Sequence, residues 1–182
     1  MAAILVVYAS VDGQGRRIAE RITEVVRRAG HTAELRSYDN ATIGLVAAAD
    51  AVIVGGSIRY GGYPAGLEKF VRENRDAIED RHNAFYSVCL SAGGPGANPA
   101  TAAGYVDQFI TRTGWQPRRI ASFAGALNYT RYNPFIRLMM RLIVGMAGGE
   151  TDTSRDHEYT DWAAVERFAA EFELQLRPAR AA

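Results

Sequence analysis

The chain has 182 residues, 48% of them hydrophobic and 23% charged, a balance suited to one soluble domain with a substantial core. Its formal charge of +1 argues against a nucleic-acid binder working through a strongly basic field. It argues equally against an acidic shuttle protein that docks by bulk negative charge.

The first element is the apolar, β-branched run "AAILVVYAS", of the kind buried on both faces of a parallel sheet. Met1 leads straight into it, without a basic region, a long apolar region or a cleavage site, so the expected location is the cytosol or the cytosolic side of a membrane. Ile18, Ile22, Val25 and Val26 then recur at helical spacing, and Gly30 stops the helix. "HTAELRSY" reads as a second strand and "ADAVIVGGS" as a third. Pro64 opens a helix with Leu67, Phe70 and Val71 on one side, expected to continue towards Ile78. "NAFYSVCLS" is the fourth strand and holds the single cysteine, Cys89, as a buried thiol; with one cysteine there is no intramolecular disulfide, which fits a reducing compartment. After the glycine- and proline-rich "AGGPGANPATA" come a helix around 102–113 and a fifth strand, "RRIASFAG". The chain closes on "TDWAAVERFAAEFELQL", whose Trp162, Val165, Phe168, Ala169 and Phe172 line one face behind a cap at Thr160 or Asp161. His31, His82 and His157 are far apart, without the spacing of a metal site.

Five strands alternating with helices predict an α/β fold: a doubly wound five-stranded parallel sheet with helices on both faces, in one domain over 1–182. Ligands of such sheets bind beyond the carboxyl ends of the strands. Three loops leave those ends, at Ser10–Gly15, Ser57–Gly62 and Ser91–Gly96, each rich in Gly, Ser or aromatic residues.

The first loop, "SVDGQG", joins a strand to a helix start, where unpaired N–H groups and the helix dipole suit a phosphate. Ser10 supplies a hydroxyl, and Gly13 and Gly15 let the backbone approach closely. The dinucleotide pattern G-x-G-x-x-G and the Walker pattern with its lysine are both missing, so a mononucleotide phosphate fits better than a pyrophosphate. The plainer alternative is a tight turn in which Asp12 merely caps the helix. With a phosphate bound, Asp12 is expected to point away from it and cap the helix, its charge offset by Arg16 or Arg17.

These three loops together resemble those of the flavodoxin family, whose phosphate pattern is matched at Ser10, Gly13 and the helix start, while Asp12 and Gly15 replace two hydroxyl donors. A closer likeness runs through "GGSIRYGGY", "AFYSV", "GGETDT" and "YTDW", which look like the menaquinone-dependent protoporphyrinogen oxidases, short flavodoxin-like proteins of bacterial haem synthesis. That resemblance implies FMN as cofactor, protoporphyrinogen IX as hydrogen donor and menaquinone as acceptor, at the cytoplasmic face of the inner membrane. It implies that Ser10, Asp12, Gly13, Gln14 and Gly15 surround the FMN phosphate. Ser57, Ile58, Arg59, Tyr60 and Gly61 would border the flavin ring, with Ser91, Ala92, Gly93 and Gly94 as the opposite wall. Arg59 and Tyr60 are the candidate catalytic residues, as groups orienting substrate or flavin. An NAD(P)H:quinone reductase, an electron-carrier flavodoxin and a flavin-free domain of the same fold remain as alternatives.

A simple flavodoxin lacks the segment at about 127–150. Asn133, Pro134 and the pair Gly148–Gly149 bound an apolar helix there, with Arg137 and Arg141 as a narrow charged stripe. From Pro134 to Ala147 it would reach roughly 21 Å, short of a ~30 Å hydrocarbon core, so it is expected to lie in the interface with its arginines at headgroups. An ordinary core helix is the alternative, and self-association into a homo-oligomer is left open. Tyr129, Arg131 and Tyr132 lead into it and suit a flat tetrapyrrole bearing propionates.

Overall fold

A computed structural model describes residues 1–127, 129–131, 138, 145 and 152–176. Five parallel strands form one sheet in the order β2-β1-β3-β4-β5: β1 (Ala3–Ala9), β2 (Thr32–Ser37), β3 (Ala51–Ser57), β4 (His82–Val88) and β5 (Ile120–Phe123). Strands β1, β3 and β4 are buried on both faces, which explains why their sequences read as nearly continuous apolar runs.

Alternate residues of each strand feed two cores. Ile4, Val6 and Ile53 pack beneath α1 (Gln14–Arg28) and a C-terminal helix, Trp162–Leu174, through Ile18, Ile22, Val165, Phe168 and Phe172. Leu5, Val7, Val52 and Val54 face the opposite way, against Leu67 and Val71 of α3 (Ala65–Glu73) and Val106 and Phe109 of α5 (Pro99–Thr113). Helix α1 ends in a Schellman motif: Gly30 N donates to Arg27 O and His31 N to Val26 O, with Gly30 at φ 92°.

The helix expected to run from Pro64 towards Ile78 is broken. Asn74 leaves helical geometry (φ −111°, ψ 11°), its Nδ2 donating to Phe70 O, and α4 (Arg75–Glu79) starts afresh. Helix α5 begins at Pro99, earlier than the apolar pattern suggests, because Asn98 accepts the Thr101 N–H and Pro99 fits the first turn. Of the two cap candidates, Asp161 is the one used; it accepts from Ala164 N, and the helix it starts, Trp162–Leu174, is α6. Two features carried no signal strong enough to expect. Helix α2 (Ile43–Ala48) is one short segment capped by Thr42, and β6 (Ala126–Leu127) pairs antiparallel with β7 (His157–Glu158). That two-rung ladder lies outside the five-stranded sheet, and Tyr159 N beyond it donates to Gly125 O. Among the described residues no helix is long and apolar enough to cross a membrane.

Candidate functional site

The loops after β1, β3 and β4 share the carboxyl edge of the sheet, as parallel pairing requires. In the first, Gly13 takes the N-cap position of α1 in a left-handed conformation, φ 93°, and its N–H donates to Ser10 Oγ over 3.1 Å. Gln14, Gly15 and Arg16 follow as the first turn, where an N–H has no carbonyl of its own helix to reach; the first such bond is Arg17 N to Gly13 O. A Cβ on Gly15 would stand 2.3 Å from Ser57 Oγ, so only glycine lets the loop close against the end of β3. Ser57 Oγ is itself buried and has no hydrogen-bond partner. A bare backbone turn at a helix N-terminus, closely backed and lined by hydroxyls, fits a phosphate group.

Asp12 does not cap α1, because the left-handed Gly13 holds that position and no side chain caps the helix. Nor is its charge offset by Arg16 or Arg17. Arg16 pairs with Glu20 and Arg17 with Glu158, each at 2.8 Å, whereas the Asp12 carboxylate faces Arg59 at 3.6 Å. The first and second loops are thus joined by a half-exposed ion pair.

The second loop is a tight hairpin. Arg59 N donates to Gly62 O at 2.9 Å and Gly62 N returns to Arg59 O at 3.2 Å. Its two central residues have positive φ, Tyr60 at 50° and Gly61 at 82°, as a type I′ turn demands. Tyrosine adopts that conformation at a cost, which marks the turn as a place where geometry outranks local preference. Tyr60 is 78% exposed and its ring carries the Arg59 guanidinium 5.0 Å from its centre. Ile58 is half-buried and its N–H bonds Val88 O, tying the hairpin to β4.

The third loop starts as a 3₁₀ turn, Leu90–Ala92, holding Ser91 and Ala92, and closes through Gly94 N to Leu90 O at 2.7 Å. Gly93 lies against Ala124, where an added Cβ would approach to 3.2 Å. Burial pushes the Cys89 thiol up from its ordinary pKa, as expected for an inert core sulfur.

One network joins the phosphate-type loop to the chain beyond the insertion. Gln14 is buried, and its Nε2 donates to Glu158 Oε1 (3.0 Å) and Thr160 Oγ1 (2.7 Å). Arg17 Nη1 donates to Gln14 Oε1 (3.0 Å) and Glu158 Oε2 (2.8 Å), and Thr160 Oγ1 donates to Ala124 O. Burial pushes the Glu158 carboxyl up, but the bonds from Arg17 and Gln14 outweigh it and hold the group below its usual pKa. A cleft of about 480 Å³ opens here, between Gly13, Arg16 and Arg17 on one side and Ala126 and His157 on the other. Of the residues expected to meet a tetrapyrrole, Tyr129 is fully buried in a small cluster with Leu127, edge-on to His157. Arg131 ends a 3₁₀ turn, Tyr129–Arg131. Tyr132, Arg137 and Arg141, and the expected helix over 134–147, lie outside the described residues save for Leu138, 57% exposed, and Gly145.

A sheet of this order with a glycine-bearing loop ahead of α1 defines a flavodoxin-type protein, an oxidoreductase scaffold for a flavin. A family model for the flavodoxin domain matches residues 5–154. Oxidised flavodoxin 2 from Bacillus cereus superposes with a TM-score of 0.60 at 17% identity, covering 96% of this chain and 100% of that one. Oxidised flavodoxin 1 from the same organism gives 0.59, also at 17% identity, over 96% and 99%. A protein of Escherichia coli (strain K12) named protoporphyrinogen IX dehydrogenase (quinone) is 36% identical over 167 residues, 92% of each chain. Its namesake from Leishmania major is 34% identical over 169 residues, 92% of this chain and 73% of that one. The chain belongs to the protoporphyrinogen IX dehydrogenase (quinone) family of flavodoxin-domain enzymes.

Proposed function

We infer that the chain is an FMN-dependent enzyme that oxidises protoporphyrinogen IX to protoporphyrin IX and passes the electrons to menaquinone, as a single domain working at the cytoplasmic face of the inner membrane. The observation that carries this reading is the bare first turn of α1, shaped for one phosphate, in a chain alike over nearly its whole length to enzymes with that printed activity. FMN supplies the hydride chemistry when bound, accepting from the porphyrinogen and yielding to the quinone.

The chain's own residues bind and orient. The N–H groups of Gln14, Gly15 and Arg16, with the Ser10 hydroxyl, would hold the phosphate; since Ser10 Oγ already accepts from Gly13, its proton is left to donate. The Asp12–Arg59 pair keeps the carboxylate away from that anion and fixes the root of the hairpin. Ile58, Gly61 and Tyr60 would edge the flavin ring, with Ser91, Ala92, Gly93 and Gly94 opposite. Tyr60 stands exposed and Arg59 half-exposed where a propionate-bearing substrate would arrive, and guanidinium suits carboxylates. Peripheral membrane contact would fall to the insertion, through the apolar helix expected over 134–147 with Arg137 and Arg141 as its charged stripe, and with Arg131 and Tyr132 leading into it.

Anaerobic mixing of FMN-loaded protein with protoporphyrinogen IX should bleach the flavin, and a menaquinone analogue should restore its colour. Flavin that stays oxidised with the porphyrinogen, or that bleaches with NADPH alone, overturns the reading in favour of another flavodoxin-type activity.

A further inference from the structure

Behind the phosphate-type loop, one side chain of β4 reaches across the sheet to touch it. Tyr86 is fully buried, and its hydroxyl donates to Gly15 O over 3.2 Å. Strand β3 runs between, and Gly55 is Tyr86's register partner there. A Cβ on Gly55 would stand 1.8 Å from Tyr86 Cζ, so the glycine leaves the gap through which the ring passes. Phe168 edge-on and Phe123 at a tilt hold the ring's direction. Burial raises the phenol well above its usual pKa, so it remains a donor across the working pH range.

Gly15 O belongs to the same peptide group as the Arg16 N–H. That N–H is one of the first-turn donors without a carbonyl in its own helix. A hydrogen bond received at the oxygen of an amide polarises its N–H and makes it a stronger donor, and it also fixes the plane of the group. We propose that Tyr86 is a positioning residue for the cofactor phosphate, acting through the Gly15 carbonyl to orient and polarise the Arg16 amide. Gly55 is its permissive partner, and Ser57 Oγ, pressed against Gly15 from the end of the same strand, sets how far the turn can settle. The assignment rests on the FMN reading above and extends it to residues that touch no ligand.

The test compares FMN with riboflavin, which has the same ring and ribityl chain but no phosphate. Dissociation constants for both are measured by flavin fluorescence on apoprotein, for wild type and Tyr86→Phe, with the melting temperature of each apoprotein alongside. The expected result is a loss of FMN affinity of about two- to threefold, the size of the cooperative strengthening of one charge-assisted hydrogen bond, with riboflavin affinity nearly unchanged. Tyr86→3-fluorotyrosine keeps the shape, is a stronger donor and serves even where the phenylalanine variant folds badly; it should raise the FMN-to-riboflavin preference about twofold. A merely structural tyrosine would alter the melting temperature and move both affinities together. A preference for FMN that is the same in wild type and both variants overturns the inference while leaving the FMN reading intact. Wild-type protein that does not prefer FMN over riboflavin brings down both.

Discussion

Gly15 and Tyr60 show two ways in which single residues hold the carboxyl-edge loops in place. Gly15 lacks a Cβ because Ser57 occupies the space, so Gly15→Ala should cost about 1–3 kcal/mol of stability in urea titration and weaken FMN binding by at least about tenfold. Adding Ser57→Ala removes the clashing oxygen and should restore most of both, which a double-mutant cycle reads directly. Tyr60 instead stores strain. An asparagine tolerates φ near 50° better, and the exposed ring has little burial to lose, so Tyr60→Asn should stabilise the protein by about 0.5–1 kcal/mol. Turnover of porphyrinogen should fall in the same variant, since Arg59 loses the ring it lies over. Sequence spacing was enough to expect a tight strand-to-helix turn through Ser10, Gly13 and Gly15, and the structure has that turn. Spacing could not pair Asp12 with Arg59, because the residues are far apart in the chain and meet only when β1 and β3 align. Tyr60's conformation was equally hidden, since tyrosine is not a residue that announces a left-handed turn.

At the scale of elements, the decisive contact is the clip from α1 to β7. Gln14, Arg17, Glu158 and Thr160 satisfy one another and fasten the chain beyond the insertion to the first turn of α1. Glu158 has its pKa lowered in the folded state, so its contribution is present above its ordinary value near 4.5 and disappears as pH falls through the lower folded value. Wild type should therefore lose stability more steeply below about pH 4.5 than Glu158→Gln, which has no such group to protonate. Equal acid slopes in urea titrations would contradict the clip. This contact was illegible beforehand for a physical reason: β6 and β7 are two residues each, too short for any alternation to register. The break at Asn74 escaped for a related one. The apolar side of α3 continues in phase through Ile78, and what interrupts it is a polar side chain bonding back to Phe70 O.

For the whole molecule, the sheet separates a holding end from a working end. At the amino ends of the strands, Ala2 N donates to His31 Nδ1, which leaves Nε2 to donate to the buried Glu173 of α6 at 3.2 Å. His31→Ala should cost about 1–3 kcal/mol of stability in urea titration yet leave FMN affinity within about twofold, because the cradle lies at the opposite edge. The doubly wound architecture was readable because its central strands are buried on both faces and its helices keep a clear apolar stripe. Most of the expected insertion over 127–150 lies outside the described residues. The central claim is that the first turn of α1 holds the phosphate of one FMN, and backbone amide NMR tests it most directly. One equivalent of FMN should move the Gln14, Gly15 and Arg16 amide resonances downfield, while riboflavin leaves them near their apoprotein positions. Shifts confined to other parts of the chain, or the same first-turn shifts with both flavins, would contradict it.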